Sequence, residues 1–313
     1  MTELALGRAL SGGASSAEEA LPILGPVLTD RWARRIRYLR VSITDRCNYR
    51  CTYCMPAEGF RAMPRAELLT LEESARFVGV MARLGVERVR ITGGEPLVRR
   101  GAVGLIRAIS QTEGIREVAM TTNGHLLGQF AGPLYDAGLR CLTVSLDSFA
   151  PETFSALTGG GELERVLHGL AEAERVGFSD IRINTVVIRG QNDEQALEMV
   201  EACWARGWLP RFIELMPIGH AWGRETQLRV STGEVLARIG SRYPLAAGLE
   251  GDDLPRGPAR YYRVTEGPFA GRRVGMISPM SDHGFCSRCN RARLTAQGGL
   301  RACLADEIGR AHV

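Results

Sequence analysis

The chain has 313 residues, 45% of them hydrophobic and 24% charged, with 39 basic residues against 35 acidic and a formal net charge of +4. That length supports a sizeable core in one large domain plus a smaller one. Every basic residue is an arginine and they are spread along the chain, which argues against a dedicated nucleic-acid face but leaves room for a small anion, because guanidinium forks suit phosphates.

No run of about 18 apolar residues suggests a membrane span. No basic start followed by an apolar core suggests a secretory leader, so a cytoplasmic enzyme is expected. Residues 1–30 mix Gly, Ala and Ser without sustained periodicity and are expected to be a disordered or loosely attached arm. Residues 36–44, IRYLRVSIT, read as a buried strand that delivers DRCNYRCTYCMP at its C-terminal end. Residues 70–85 read as a helix, with Thr70 as N-cap, Glu73 completing a capping box and Gly85 as the stop. The strand VERVRIT follows and ends in Gly93-Gly94-Glu95-Pro96.

The alternation continues through strand IREVAMTTNG, helix GQFAGPLYDAG, strand LRCLTVSLD, helix LERVLHGLAEAERVG, strand DIRINTVVIRG, helix DEQALEMVEACWARG and strand PRFIELMPIG. Parallel strands joined by helices make an α/β sheet. About six strands are too few to close an eight-stranded barrel, so the expected fold is an open partial barrel over residues 31–225, followed by a C-terminal region over 226–313. Ligands in such folds sit at the C-terminal ends of the strands. The Cys loop, the Gly93-Gly94 turn, Thr121-Thr122-Asn123, Ser145-Leu146-Asp147 and Glu214-Leu215-Met216-Pro217 all fall there.

Six of the eight cysteines form two sets of three. Cys141, in a strand pattern, and Cys203, in a helical one, read as buried small hydrophobes. The first set is Cys47-x3-Cys51-x2-Cys54. A structural zinc closes with four ligands, and ferredoxin-type runs supply four cysteines. Three thiolates fit a four-iron cubane with one iron open to S-adenosylmethionine, whose one-electron cleavage gives a 5′-deoxyadenosyl radical. The competing reading is a three-Cys zinc site with a distant histidine. Gly93 and Gly94 read either as an ordinary turn or as a close backbone approach to a ligand. Taken together, Cx3CxxC and GGEP resemble the radical S-adenosylmethionine superfamily.

The second set, Cys286-x2-Cys289-x13-Cys303, encloses Arg291-Ala292-Arg293. It fits an auxiliary cluster beside an anion or purine site, with a zinc knuckle completed by His283 as the alternative. With the stretches IRYLRVSITDRCNYRCTYCMP, RVRITGGEPLVRR, TTNGHLL, TVSLDS, INTVVIRGQND, RFIELMPIG and FCSRCNRARLTAQGGLRACL, residues 34–304 resemble the GTP 3′,8-cyclase family of molybdenum-cofactor biosynthesis, the MoaA family.

That resemblance implies conversion of GTP to (8S)-3′,8-cyclo-7,8-dihydroguanosine 5′-triphosphate, beginning with hydrogen abstraction at ribose C3′ and closing at guanine C8. It implies two 4Fe–4S clusters, one on Cys47, Cys51 and Cys54 and one on Cys286, Cys289 and Cys303. Tyr53, Gly94, Ser145 and Met216 match positions that contact S-adenosylmethionine. Arg40, Arg90, Thr121, Arg182, Arg291 and Arg293 match positions that contact GTP, and Arg88 and Arg211 match further basic positions within reach of the triphosphate. The implied partners are a low-potential flavodoxin- or ferredoxin-like electron donor and cyclic pyranopterin monophosphate synthase, with neither nucleic acid nor membrane; a homodimer is compatible.

Two departures stand out. Arg182 replaces a lysine common in the family, a flat fork in place of a point charge. The family's Gly-Gly tail does not follow Cys303, and Val313 ends the sequence; slow turnover is expected on that ground. The remaining alternatives are another radical enzyme with an auxiliary cluster, such as a peptide maturase, and a non-catalytic iron–sulfur and GTP-binding protein.

Overall fold

A computed structural model describes residues 27–30, 33–56, 59, 61–248 and 259–303. Most of the expected N-terminal arm and the stretch after Cys303 lie outside the described residues. In chain order the elements are β1 (Tyr38–Ser42), α1 (Leu71–Arg83), β2 (Arg88–Thr92), α2 (Ala102–Ser110), β3 (Glu117–Thr122), α3 (Leu127–Asp136), β4 (Cys141–Ser145), α4 (Pro151–Thr158), α5 (Leu163–Arg175), β5 (Asp180–Val187), α6 (Ala196–Ala205) and β6 (Leu209–Glu214). Then come α7 (Glu225–Leu228), α8 (Thr232–Gly240), β7 (Leu245–Ala247), β8 (Arg260–Val264), β9 (Arg273–Ile277), β10 (Arg291–Leu294) and β11 (Leu300–Arg301).

The expected α1 is present with its box closed: the Thr70 hydroxyl accepts the Glu73 N–H, and the Glu73 carboxylate accepts the Thr70 N–H. Ser231 and Glu234 build the same device on α8. Each satisfies two N–H groups that the helix itself leaves unpaired.

All strands belong to one 11-stranded sheet of order β11-β10-β1-β2-β3-β4-β5-β6-β9-β8-β7. The run from β10 to β9 is parallel throughout, and the outer strands β11, β8 and β7 are antiparallel. The six strands read from the sequence are the centre of this run. Parallel β10 and β9, both from the C-terminal region, extend it at either edge. The ends do not pair with each other, so the sheet stays open.

Buried parallel strands usually read as continuous apolar runs, whereas these alternate. The face bearing Leu39, Val41, Val89, Ile91, Val118, Met120, Leu142, Val144, Ile181 and Ile183 is fully or almost fully buried. It shares one core with Val78, Leu105, Ile106, Leu134, Val166, Leu170 and Trp204 of the helices. Each such aliphatic side chain contributes about 1.5–3 kcal/mol on burial. Cys203 lies in this core, as expected. The opposite face carries the polar residues, and the period of two puts them in register.

Candidate functional site

The Cys47–Cys54 loop leaves the C-terminal end of β1 and is pinned by backbone. Gly94 donates its N–H to the Thr44 carbonyl at 2.7 Å and Glu95 donates to that of Arg46 at 2.8 Å. A Cβ on Gly94 would overlap the Arg46 carbonyl and stand 2.7 Å from that of Asp45. The glycine is therefore required by the loop's own backbone. Gly219, at a φ of 59°, likewise lies against the Cys54 carbonyl. Buried Glu95 accepts from the Thr122 hydroxyl at 2.7 Å and the Asn123 N–H at 2.6 Å, tying the end of β3 to the same turn. Burial raises its pKa above the ordinary carboxylate range.

The Cys47 sulfur accepts the Tyr49 N–H at 3.4 Å and lies 3.9 Å from Asn123 Nδ2. The Tyr53 hydroxyl donates to Asp147 Oδ2 at 2.8 Å, and Asp147 Oδ1 accepts the Val186 N–H at 2.9 Å. Burial holds the Asp147 carboxyl up at about 6. Burial also pushes the thiols of Cys47, Cys51 and Cys54 upward. Thiolates there need a bound cation to offset the loss of water.

The inner face of the sheet is a belt of guanidiniums. Arg40 on β1 stands in register with Arg90 on β2 and Arg293 on β10, and Arg211 on β6 with Asn184 on β5 and Gly275 on β9. Arg90, buried, bonds Tyr38, the Met120 carbonyl at 3.1 Å and the hydroxyls of Thr121 and Thr143 at 3.2 and 2.8 Å. It also reaches the buried Cys141 sulfur at 3.5 Å. Arg211 bonds Thr143 at 3.1 Å, and a Cβ on Gly275 would stand 2.8 Å from the Arg211 side chain.

No ion pair joins Arg40, Arg90 or Arg211 to a described carboxylate. Arg40 Nε, Arg211 Nε and Asn184 Oδ1 are buried without a hydrogen-bond partner. Burial, then the charges of Arg293, Arg90 and Arg291, press Arg40 down to about 9. Crowded, dry cations of this kind are stabilised by an incoming anion.

The second Cys segment runs from the end of β9 to Cys303, two residues past β11. Arg291 Nε lies 3.4 Å from the Cys289 sulfur, and although burial opposes it, this guanidinium brings the Cys289 thiol below its ordinary value. Arg34 donates to the Cys286 carbonyl and is itself held by Asp30 at 2.6 Å. Buried Glu214, at the end of β6, accepts the N–H groups of Met280 and Ser281, both at 3.0 Å, and that of Thr232 at 3.0 Å.

One cavity of about 910 Å³ joins these parts. Its lining contains Tyr53 and Cys54 from the first loop, Cys286, Cys289 and Cys303 from the second segment, and Arg40, Arg90, Thr121, Arg211, Met216, Arg291 and Arg293 between them. Cys47, Cys51, Gly94 and Ser145 lie outside that lining, as do Arg88 and Arg182. Arg88 begins β2 and faces Tyr38 and Glu117 in register. Arg182 is buried and forked onto Asp180 at 2.8 and 2.6 Å.

Tyr38, Asn184, Glu214, Asp30 and Arg34 also line the cavity and were not singled out from sequence as ligands. Tyr38 and Asn184 stand two residues from Arg40 and Arg182, so strand period gives the signal for both. Glu214 is marked by its place in the Glu214–Pro217 stretch at the end of a strand, and Arg34 has no such mark.

One zinc ion would hold its thiolate sulfurs about 3.8 Å apart, given a Zn–S bond of about 2.3 Å. Among the described residues no three His, Cys, Asp or Glu side chains form a set that could hold a metal ion, Cys286, Cys289, Cys303 and His283 included. A four-iron cluster takes each thiolate on a separate iron, and three thiols on one loop, with an N–H aimed at the Cys47 sulfur, suit that donor set. No disulfide joins any of the eight cysteines. No helix among the described residues is long and apolar enough to cross a membrane.

Residues 41–203 match the Radical SAM superfamily and residues 210–311 match Molybdenum Cofactor Synthesis C. The GTP 3′,8-cyclase 1 of Pseudomonas aeruginosa is 46% identical over 278 residues, 89% of this chain and 82% of that protein. The GTP 3′,8-cyclase of Peptoclostridium acidaminophilum is 43% identical over 284 residues, 90% of this chain and 84% of that protein. Among solved structures, Streptococcus suis SuiB bound to S-adenosylmethionine superposes with a TM-score of 0.59 at 17% identity, covering 86% of this chain and 60% of SuiB. SuiB bound to the precursor peptide SuiA gives 0.56 at 16%, covering 87% and 61%. At that identity the likeness is one of fold.

Proposed function

This chain belongs to the GTP 3′,8-cyclase family of the Radical SAM superfamily, and we propose that its cavity holds S-adenosylmethionine against the first Cys loop and GTP between the arginine belt and the second Cys segment. The protein is a radical S-adenosylmethionine cyclase of molybdenum-cofactor biosynthesis, and its substrate is GTP. The observation that carries the assignment of roles is the set of guanidiniums brought into register on one sheet face, inside a cavity bounded by Cys54 at one wall and Cys286, Cys289 and Cys303 at another.

Cys47, Cys51 and Cys54 hold the first iron–sulfur cluster, and Cys286, Cys289 and Cys303 hold a second. When bound, the first cluster and S-adenosylmethionine supply one-electron cleavage of a C–S bond and a radical that abstracts hydrogen.

The remaining work is done by the chain's own residues. Arg40, Arg90, Arg211 and Arg293 neutralise the triphosphate, and because Arg90 and Arg211 are buried, contacts to them are stronger than at the surface. Thr121 and Thr143 fix the Arg90 fork, so it need not reorganise when the anion arrives. Tyr53, oriented by Asp147, and Met216 line the S-adenosylmethionine side. Arg291 serves both ligand classes, since it touches the Cys289 sulfur and lines the cavity. Arg182 and Arg88 act from the floor of the sheet, Arg182 through its pairing with Asp180.

Residues 31–225 then carry the radical-generating half and 226–313 the auxiliary half. The reading extends to a cytoplasmic enzyme, supported by eight cysteines none of which is in a disulfide. It takes its electron from a low-potential flavodoxin- or ferredoxin-like donor and passes its product to cyclic pyranopterin monophosphate synthase.

The test is anaerobic reconstitution with GTP deuterated at C3′. Cyclised product should form, and the label should appear in 5′-deoxyadenosine. Iron-loaded protein that cleaves S-adenosylmethionine but leaves both GTP and the label untouched would overturn the assignment.

A further inference from the structure

Glu214 is a buried carboxylate on the wall of the cavity with five hydrogen bonds in reach. Oε1 accepts the Thr232 N–H at 3.0 Å, the Thr232 hydroxyl at 3.3 Å and the Ser281 hydroxyl. Oε2 accepts the N–H groups of Met280 and Ser281, both at 3.0 Å. Behind it, Thr232 and Ser278 join their hydroxyls at 2.6 Å.

Three separate parts of the chain meet on this one side chain. They are the end of β6, which leads to Met216; the first turn of α8; and residues 280–281, which open the segment bearing Cys286 and Cys289. A carboxylate held by two neighbouring backbone N–H groups and a helix N-terminus is a strong fastening, because charge-assisted bonds add to the helix dipole. The donors leave neither oxygen free for substrate. We infer that Glu214 is a positioning residue that sets the distance between the S-adenosylmethionine side of the cavity and the second Cys segment. It thereby couples radical formation to cyclisation of GTP. The inference rests on the two-cluster reading above.

Substitution discriminates this role from simple support of the fold. In Glu214→Gln, the amide oxygen can face the Met280 and Ser281 N–H groups, while its NH2 faces two hydroxyls that can turn to accept. Only the Thr232 N–H is left unpaired. Glu214→Gln should therefore keep most of the coupling, whereas Glu214→Ala releases residues 280–281.

The readouts are 5′-deoxyadenosine formed, cyclised GTP formed, iron content and the melting temperature of the reconstituted holoenzyme. Glu214→Ala should cleave S-adenosylmethionine within about threefold of the parent, yet cyclise about 100-fold less GTP per cleavage, the usual effect of a displacement near 1 Å. Glu214→Gln should stay within about tenfold on that ratio, about half of the loss on a logarithmic scale. An unchanged ratio in Glu214→Ala overturns the inference. If Glu214→Ala does not fold, a Glu214→Gln protein with normal melting temperature and a ratio as poor as that of an uncoupled enzyme also overturns it, because the loop's two N–H groups would still be held. Cys286→Ala serves as the separate control: if that variant keeps full iron and full cyclisation, the two-cluster reading has failed and not the role of Glu214.

Discussion

The two cysteine segments of this protein are held in opposite ways. The first is fixed by backbone lying directly on backbone. Gly93, Gly94 and Gly219 let the turn after β2 and the chain after β6 rest on residues 44–46 and 54 with no side chain between. Its thiols sit in surroundings that disfavour charge. The second segment is fixed by charged side chains reaching out to it: Glu214 to Met280 and Ser281, Arg34 to Cys286, and Arg291 to Cys289. Its Cys289 thiol sits beside guanidiniums that favour charge. The first segment should therefore fail when atoms are added, and the second when charges are taken away.

The largest effects separate the two segments by function. Cys47→Ala should abolish S-adenosylmethionine cleavage. Cys286→Ala should retain cleavage and lose cyclisation. Iron content should fall from about eight to about four per chain in either variant. Parallel loss of cleavage in both variants, with the fold intact, would merge the two segments into one function.

The next effect tests the added atom. Gly94→Ala places a methyl against the Arg46 and Asp45 carbonyls, and neither is the end of a flexible chain. A cost of about 3 kcal/mol is expected, the upper end for overpacking, together with loss of iron from the first site. Gly104→Ala is the control, since its Cβ would enter open space on α2. It should be neutral or gain up to about 1 kcal/mol. Equal melting curves for the two variants would show that the glycine contact is not what holds the loop.

The same contrast explains what could be read in the chain beforehand. The first segment and its barrel were legible because their constraints are local. A Cys spacing, a Gly-Gly turn, a capping box at Thr70 and Glu73, and strands separated by helices all announce themselves within ten residues. The edge strands were not. Residues 245–247 and 300–301 are too short to show a period, and residues 291–294 drew notice for their arginines rather than as a strand. The arginine belt was reached only by resemblance, since which arginines share a face follows from the register between strands far apart in sequence. Resemblance placed Arg182 with Arg40 and Arg90 and gave Arg88 as a further basic position; in the fold Arg182 is forked onto Asp180 and Arg88 stands in register with Glu117. The sequence places Glu214 at the C-terminal end of a strand, but its fastening of the second segment carries no signal there because its partners are 18, 66 and 67 residues away.

Asp147 sharpens the comparison, being the charged side chain that braces the first segment through Tyr53. Burial raises its carboxyl to about 6 in the folded chain. Between about pH 4 and 6 the unfolded chain gives up this proton first, so the folded state binds more protons and stability must fall as pH rises through that window. The span is about 3 kcal/mol at about 1.36 kcal/mol per pKa unit. Asp147→Asn removes the titration and should flatten this part of the profile in urea melts of the metal-free protein. The variant should gain relative to the parent at pH 7 and lose that advantage at pH 4. Profiles that stay parallel would mean that the carboxyl titrates normally.

Arg291 and Arg293, one residue apart on either side of Ala292, divide along the same line with smaller effects. Both line the cavity, so replacing either with alanine should weaken GTP binding by about 1.5–3 kcal/mol, the range for hydrogen bonds to a charged group. S-adenosylmethionine binding should hardly move. Their effects on the ligand-free protein should differ in size. Arg291 bonds the Cys289 sulfur and lowers that thiol's pKa, so Arg291→Ala should loosen the second segment. Arg293 stands in register with Arg40 and, after burial itself, is the largest cause of the fall of the Arg40 guanidinium to about 9. Arg293→Ala relieves that repulsion, so its ligand-free form should lose less stability than Arg291→Ala does. Added inorganic triphosphate should then stabilise the parent more than Arg293→Ala, because the parent offers the anion one more guanidinium. Calorimetry with GTP and thermal melts with and without triphosphate measure both halves. If Arg293→Ala is destabilised to the same degree as Arg291→Ala, the belt is not a cluster of mutually repelling charges, and the electrostatic account of this face is wrong.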